Sequence, residues 1–237
     1  VKIDIKGVIV SNNDKWLYDW FEVEAVCPKD ISSQIEAANG EDIEIDINSP
    51  GGDVYAGSEI YTALKSYTGN SVGRIVGVAA SAAGLAAMGV KKLLISPTAQ
   101  LMIHNVSSHA WGDYRALEHE AQVLKNYNVS ISNAYLLKTG MEQKELLSMM
   151  NKETWLNAQE ALEKGFVDEI MFDEGNKLVA SISHSAMIPA EVLNKMRNYL
   201  KTIKEGIKAR AEPEPEPEPE QENTDVLKAK LALELIL

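Results

Sequence analysis

The sequence predicts a layered α/β domain. Three observations carry that expectation. Strand-like and helix-like apolar spacings alternate over roughly the first 175 residues, the strand patterns end on small-residue turns that open helices, and 45% hydrophobic content in 237 residues is enough for one substantial core. The expected organisation is one domain over residues 1–180 followed by an extension.

Apolar residues at positions 1, 3 and 5, then 8 and 10, give a first strand interrupted at Gly7. A loop through Trp16, Trp20 and Phe21 is expected next, then a short helix from Asp30 to Ala38 closed by Asn39 and Gly40. Ile43, Ile45 and Ile47 form a strand ending at Asn48-Ser49-Pro50-Gly51-Gly52. From Asp53, Ile60, Ala63, Leu64 and Tyr67 recur at helical spacing, and Ile75 to Val78 reads as a buried strand running into Ser81. A short helix from Ala82 to Met88 precedes strands at Lys92 to Ile95 and Leu101 to His104.

The longest periodic segment spans 114–139 and is closed by Gly140. One stripe holds Leu117, Ala121, Leu124, Ile131 and Tyr135, and a second holds Val123, Tyr127, Ala134 and Leu137. Two stripes point to packing against a second subunit, with a helix buried in its own monomer as the other reading. Asn157 and Glu160 form a capping-box pattern for a helix ending at Gly165, and Val167 to Met171 supplies a last strand. Beyond residue 180, a helical extension is expected over 181–210, with its amphipathic part at 189–208. Residues 211–223 carry six glutamates in a Glu-Pro repeat and read as an extended, disordered spacer. Residues 224–237 read as a short helix or a truncated end.

The net charge of −12 owes half its excess to that repeat, and no Lys/Arg cluster provides a footprint for nucleic acid or a membrane surface. No apolar run reaches the ~20 residues needed to span a bilayer. The single cysteine, Cys27, makes no internal disulfide and fits a reducing cytoplasm, where it reads as a core residue. No paired Cys/His spacing offers a metal site, and no cofactor is called for.

Three strand ends carry chemistry-bearing residues. Gly77-Val78-Ala79-Ala80-Ser81-Ala82-Ala83-Gly84 places a serine among small residues at a strand-to-helix turn, which exposes a hydroxyl and lets backbone N–H groups approach a developing oxyanion. The plain alternative is a serine N-cap on a helix packed through alanines. In Asn48-Ser49-Pro50-Gly51-Gly52-Asp53 a Gly-Gly pair permits positive φ and leaves N–H groups unobstructed. The Walker lysine and a GxGxxG pattern are missing there, which leaves a simple turn or an oxyanion hole. His104 follows an apolar strand, where an imidazole can stand at the sheet rim or serve structure alone. One sheet can bring all three together.

On these residues the sequence resembles the Clp protease proteolytic-subunit (ClpP) family over roughly residues 1–175. Asn48 to Gly52 is similar to the family's oxyanion-loop motif, Gly77 to Ser81 to its nucleophile motif, and Met102-Ile103-His104 to its histidine motif. Thr154 to Ala161 with Gly165 to Asp168 is similar to the segment that follows its third triad member. The resemblance implies the ClpP/crotonase fold, with Ser81 as nucleophile, His104 as base and Glu153 as the acid that orients the imidazole. It also implies Gly51 and Ala82 as oxyanion-hole donors, with Asp168 as a fallback acid. Gly52 and Asn105 would offer backbone groups to a protein or peptide substrate bound as an added strand.

The family usually has Asp at the position of Glu153, His-Gln-Pro where this chain has His104-Asn105-Val106, and an arginine near Leu93. These departures resemble the ClpP-related head maturation proteases of tailed phages, which process capsid and scaffold proteins. A homo-oligomer is implied, and a Clp-type ATPase is the partner in the housekeeping alternative. Competing readings are a crotonase, a Ser/Lys hydrolase using Lys91 or Lys92, and a catalytically silent scaffold of the same fold.

Overall fold

A computed structural model describes residues 1–173. The boundary expected at residue 180, the extension over 181–210, the Glu-Pro segment and the 224–237 end lie outside the described residues, as does His184.

The core is an eight-stranded sheet in the order β2-β1-β3-β4-β5-β8, with β6 joined to β4 and β7 to β6. Strands β1 (Lys2–Ile9), β2 (Ala25–Val26), β3 (Ile43–Gly52), β4 (Ser71–Ala80), β5 (Lys92–Ile95) and β8 (Glu169–Ile170) run parallel, and the pair β6 (Gln100–Ile103) and β7 (Thr154–Asn157) is antiparallel. Helices α2 (Pro28–Ala38), α3 (Val54–Ser66) and α4 (Ala82–Ala87) connect successive strands. This is the crossover connection that parallel strands require. Isoleucines 3, 5, 43, 45, 47 and 75 are fully buried, as expected for strands covered on both faces.

Local chemistry sets the element ends. Asp53 caps α3 by accepting from the Ala56 N–H at 2.8 Å, and α2 stops at Asn39, whose left-handed φ of 46° ends the helix before Gly40. The Asn157/Glu160 capping box forms at the start of α7 (Ala158–Glu163). At the opposite sheet edge from the helix openings, Asp46 accepts from Arg74 Nε at 2.7 Å and pairs with Lys2 at 3.0 Å. Burial opposes ionisation of Asp46, but these two cations hold its carboxyl below the usual range.

Strand β4 is forked. Its residues 72–75 pair with β5 and its residues 78–80 pair with β6, while the register against β3 slips between Ile47/Ile75 and Ser49/Ala79. The slip is a bulge stapled by Asn48, whose Oδ1 accepts from the Val78 N–H at 3.2 Å. A Cβ on Gly77 would lie 2.3 Å from that same oxygen, so the staple and the glycine require each other.

Several expectations change. Residues 15–20, expected as loop, form a short helix α1 (Lys15–Trp20) that buries none of its side chains, and its Trp16 and Trp20 rings stack at 6.5 Å. The strand expected to end at Asn48-Ser49-Pro50-Gly51-Gly52 runs through to Gly52, because after a register shift between Lys6 and Val8 the β1 residues Val8 and Ile9 pair with Gly51 and Gly52. Helix α6 (Gln143–Asn151) and strand β7 were not evident from spacing.

The long helix α5 (Tyr114–Thr139) has the expected limits but divides in two. Residues 114–130 contribute nothing fully buried, whereas Ile131, Ser132, Ala134 and Tyr135 enter the monomer core. Ile131, Ala134 and Tyr135 therefore leave the intersubunit stripes expected from the sequence and serve this chain's own packing. Ile131→Asp is expected to destabilise the fold by about 3 kcal/mol or more, since it buries an unpaired charge, whereas Leu117→Asp changes monomer stability by less than about 0.5 kcal/mol. Denaturant unfolding of the two variants checks this.

Candidate active site

The parallel sheet delivers the ends of β3, β4 and β6 to one edge, and the three motifs meet there. Ser81 follows β4 with φ 55° and ψ −122°, an outlying backbone conformation for a residue with a side chain. Its N–H donates to the Met102 carbonyl at 3.0 Å and its carbonyl accepts from the Leu85 N–H at 3.0 Å, so strand β6 and helix α4 fix the turn from both sides. His104, one residue past β6, then lies beside it: His104 Nε2 is 2.7 Å from Ser81 Oγ.

Small residues make this turn possible. A Cβ on Gly51, which has φ 93°, would stand 2.6 Å from the Ala80 carbonyl oxygen and 2.9 Å from the Ala82 nitrogen. Glycine there keeps the Ala82 N–H open. Gly57 of α3 meets Ala82 in the same way, with a Cβ contact of 2.9 Å.

The two glycines of the pair are not equivalent. Gly51 is buried and its N–H donates to Ser49 Oγ at 3.1 Å, while Gly52 is exposed and lines the cavity in front of Ser81. The expectation that Gly51 is the second oxyanion donor therefore meets an N–H already engaged, and Gly52 is the neighbour that lines the cavity. The strand pattern could not tell them apart, because the difference lies in the Ser49 hydroxyl.

Glu153 sits in a left-handed turn (φ 50°) between α6 and β7, with its N–H donating to the Met150 carbonyl at 3.1 Å. Its Oε2 is 3.9 Å from His104 Nδ1, an ion-pair distance rather than a hydrogen bond. Asn105 Nδ2 donates to Asn151 Oδ1 at 2.8 Å, which ties the segment after His104 to the turn bearing Glu153. The fallback acid is elsewhere engaged: Asp168 Oδ2 accepts from the Leu93 N–H at 2.7 Å and from Lys138 Nζ at 2.6 Å. Lys91 and Lys92 stand at the N-terminal end of the parallel strands, where Lys91 Nζ donates to the Thr68 carbonyl and Lys92 Nζ to Glu169. Ser81 is at the other end, so no Ser/Lys pair forms. His109 and His119 are exposed. Cys27 is buried at the start of α2, and burial pushes its thiol above the ordinary value.

In front of Ser81 lies a cavity of about 450 Å³. Gly52, Ala82, His104 and Asn105 line it, and Val54, Leu85, Met102, Val106, Ile131 and Tyr135 give it apolar walls. Burial pushes the Tyr135 phenol above its ordinary range, which keeps that wall uncharged. The Val106 N–H is taken by Asn128 Oδ1 at 2.9 Å.

Comparison with known proteins identifies the family. The sequence model of the Clp protease family matches residues 23–174. The chain is 31% identical over 132 residues to the ATP-dependent Clp protease proteolytic subunit 2 of Tropheryma whipplei, covering 55% of this chain and 73% of that protein. It is 32% identical over 134 residues to the ATP-dependent Clp protease proteolytic subunit of Bacteroides fragilis, covering 56% and 65% respectively. Against the chloroplastic proteolytic subunit 3 of Arabidopsis thaliana it is 30% identical over 165 residues, covering 67% of this chain and 53% of the relative. The chain thus spans between about half and three quarters of the curated relatives it matches. The matched region contains Ser81, His104 and Glu153, and with a mostly parallel sheet that brings the serine and histidine into contact, the chain belongs to the Clp protease family.

Proposed function

We propose that this chain is a serine endopeptidase in which Ser81 is the nucleophile, His104 the general base and Glu153 the acid partner of the imidazole. The observation that carries the reading is the 2.7 Å contact between Ser81 Oγ and His104 Nε2 on a strained turn facing the cavity. Neutral His104 takes the hydroxyl proton at Nε2 as Ser81 Oγ bonds to the peptide carbonyl carbon. Collapse of the tetrahedral species breaks the C–N bond, and the same proton passes to the leaving amine. Water then attacks the acyl-serine by the same base, releasing the acid and restoring Ser81.

The N–H groups proposed to receive the oxyanion are those of Gly52 and Ala82, in place of Gly51 and Ala82. Gly52 and Ala82 both line the cavity, and Ala82 opens α4, where a backbone N–H has no partner within its helix. An extended substrate would run past Gly52 and Asn105, with an apolar side chain seated among Val54, Leu85, Met102 and Val106. A crotonase has no use for the serine and histidine in contact. Ser81→Ala is expected to abolish peptide hydrolysis without changing assembly, and His104→Ala to lower kcat by about 10⁴-fold or more. Wild-type turnover by purified, folded Ser81→Ala protein would exclude the assignment.

We further propose that the active form is a homo-oligomer joined through the first half of α5. What supports this is the exposure of Leu117 and Val129 on a helix whose residues 114–130 bury nothing fully in this chain. As for setting, Glu153, Asn105 and Val106 and the extension after residue 180 support the processing of phage capsid and scaffold proteins. The names of the relatives, ATP-dependent proteolytic subunits, support the second setting, a proteolytic subunit working with an ATPase. Burying one leucine at an interface contributes about 1.5–3 kcal/mol. The double variant Leu117→Asp/Leu124→Asp should therefore give smaller particles by light scattering with an unchanged circular dichroism spectrum. A fully assembled double variant would place the interface elsewhere.

A further inference from the structure

Glu153 is poorly restrained for the task proposed for it. Its side chain is 58% exposed, it hangs from a turn rather than a strand, and its carboxylate stands 3.9 Å from His104 Nδ1. Glutamate also has one more side-chain torsion to fix than aspartate, so holding its carboxylate beside an imidazole needs a second anchor.

Among the described residues that anchor is Trp155, whose indole Nε1–H donates to Glu153 Oε1 at 3.2 Å. The other oxygen, Oε2, faces the imidazole. One carboxylate is thus divided between two N–H groups, with indole on one oxygen and imidazole next to the other. The backbone of Trp155 is fixed by strand pairing while its side chain is half exposed: on β7 it is opposite Met102 of β6, and Thr154 is opposite Ile103, the residue before His104. Indole and imidazole therefore reach Glu153 from two hydrogen-bonded strands, and their spacing is set by the β6–β7 register. Phenylalanine or leucine at 155 would fill the same surface without offering a donor.

We propose that Trp155 is a positioning residue, whose indole N–H holds the Glu153 carboxylate in reach of His104 and so governs how well the imidazole is oriented. The inference rests on the triad reading above and extends it to a residue outside the lining of the cavity in front of Ser81. Glu153 and Trp155 work as a pair, a longer carboxylate with a matching donor.

The test is steady-state peptide hydrolysis by the assembled protein for Trp155→Phe, Glu153→Gln and the double variant. Replacement of Trp155 by benzothienylalanine, which keeps the ring shape and removes only the N–H, is measured beside them. Trp155→Phe and the benzothienyl variant should lose about 3- to 10-fold in kcat with KM unchanged, the scale of one partly exposed hydrogen bond to a charged group. The double variant should be no slower than Glu153→Gln, because the indole acts only through that carboxylate. If Glu153→Gln is slow but the benzothienyl variant has wild-type kcat, or if the two losses multiply in the double variant, Trp155 has no positioning role. If Glu153→Gln itself retains full kcat, the acid assignment fails and this inference falls with it. Should Trp155→Phe unfold by circular dichroism, the isosteric variant decides.

Discussion

The backbone of Ser81 is the constraint around which the rest of the site is arranged. A residue with a side chain at φ 55° costs about 1–3 kcal/mol, and it persists only where surrounding structure holds it. Here that structure is specific: Met102 accepts the Ser81 N–H, α4 begins on the next residue, and Gly51 and Gly57 let β3 and α3 approach Ala82 more closely than any Cβ permits. The β3/β4 bulge, stapled by Asn48 against Gly77 and Val78, lies just before the turn. Strain in one residue is thus distributed over two strands and two helices of the core, and the same contacts that hold the turn open the hydroxyl to His104.

Parallel pairing explains why the remaining parts converge. Strands β3, β4 and β6 all present their C-terminal ends at one sheet edge, so the Gly-Gly turn, the serine and the histidine need no long-range coincidence to meet. Glu153 comes from outside that parallel set, on the turn that leads into β7, the antiparallel neighbour of β6, and it is the least restrained member of the group. The hydrogen bonds from Asn105 to Asn151 and from Trp155 to Glu153 compensate by tying that turn to its neighbours.

Much of this was legible in the residues. Alternating isoleucines marked β1 and β3, Asn157 and Glu160 marked a helix start, and the small-residue run from Gly77 to Gly84 marked a tight turn, because in each case the local chemistry dictates the local structure. Other features depend on contacts that sequence spacing does not encode. Helix α1 has no side-chain cap and no buried face, so the four-residue spacing of Trp16 and Trp20 was its one helical signal and was too little to mark it. Ile131 lay on the same stripe as Leu124, and only the position of the core separates them. Gly51 and Gly52 are adjacent glycines distinguished by one serine hydroxyl, and Trp155 acquires its meaning from the register that sets β7 beside the strand leading to His104.

The central claim is that His104 activates the Ser81 hydroxyl, and covalent labelling measures this without knowledge of the natural substrate. Wild-type protein and His104→Ala would be treated with a fluorophosphonate, digested and mapped by mass spectrometry. The account predicts one adduct on wild-type protein, located at Ser81, and its loss in a folded His104→Ala variant. Absence of an adduct at Ser81 in folded, assembled wild-type protein, or equal labelling of the His104→Ala variant, would contradict it.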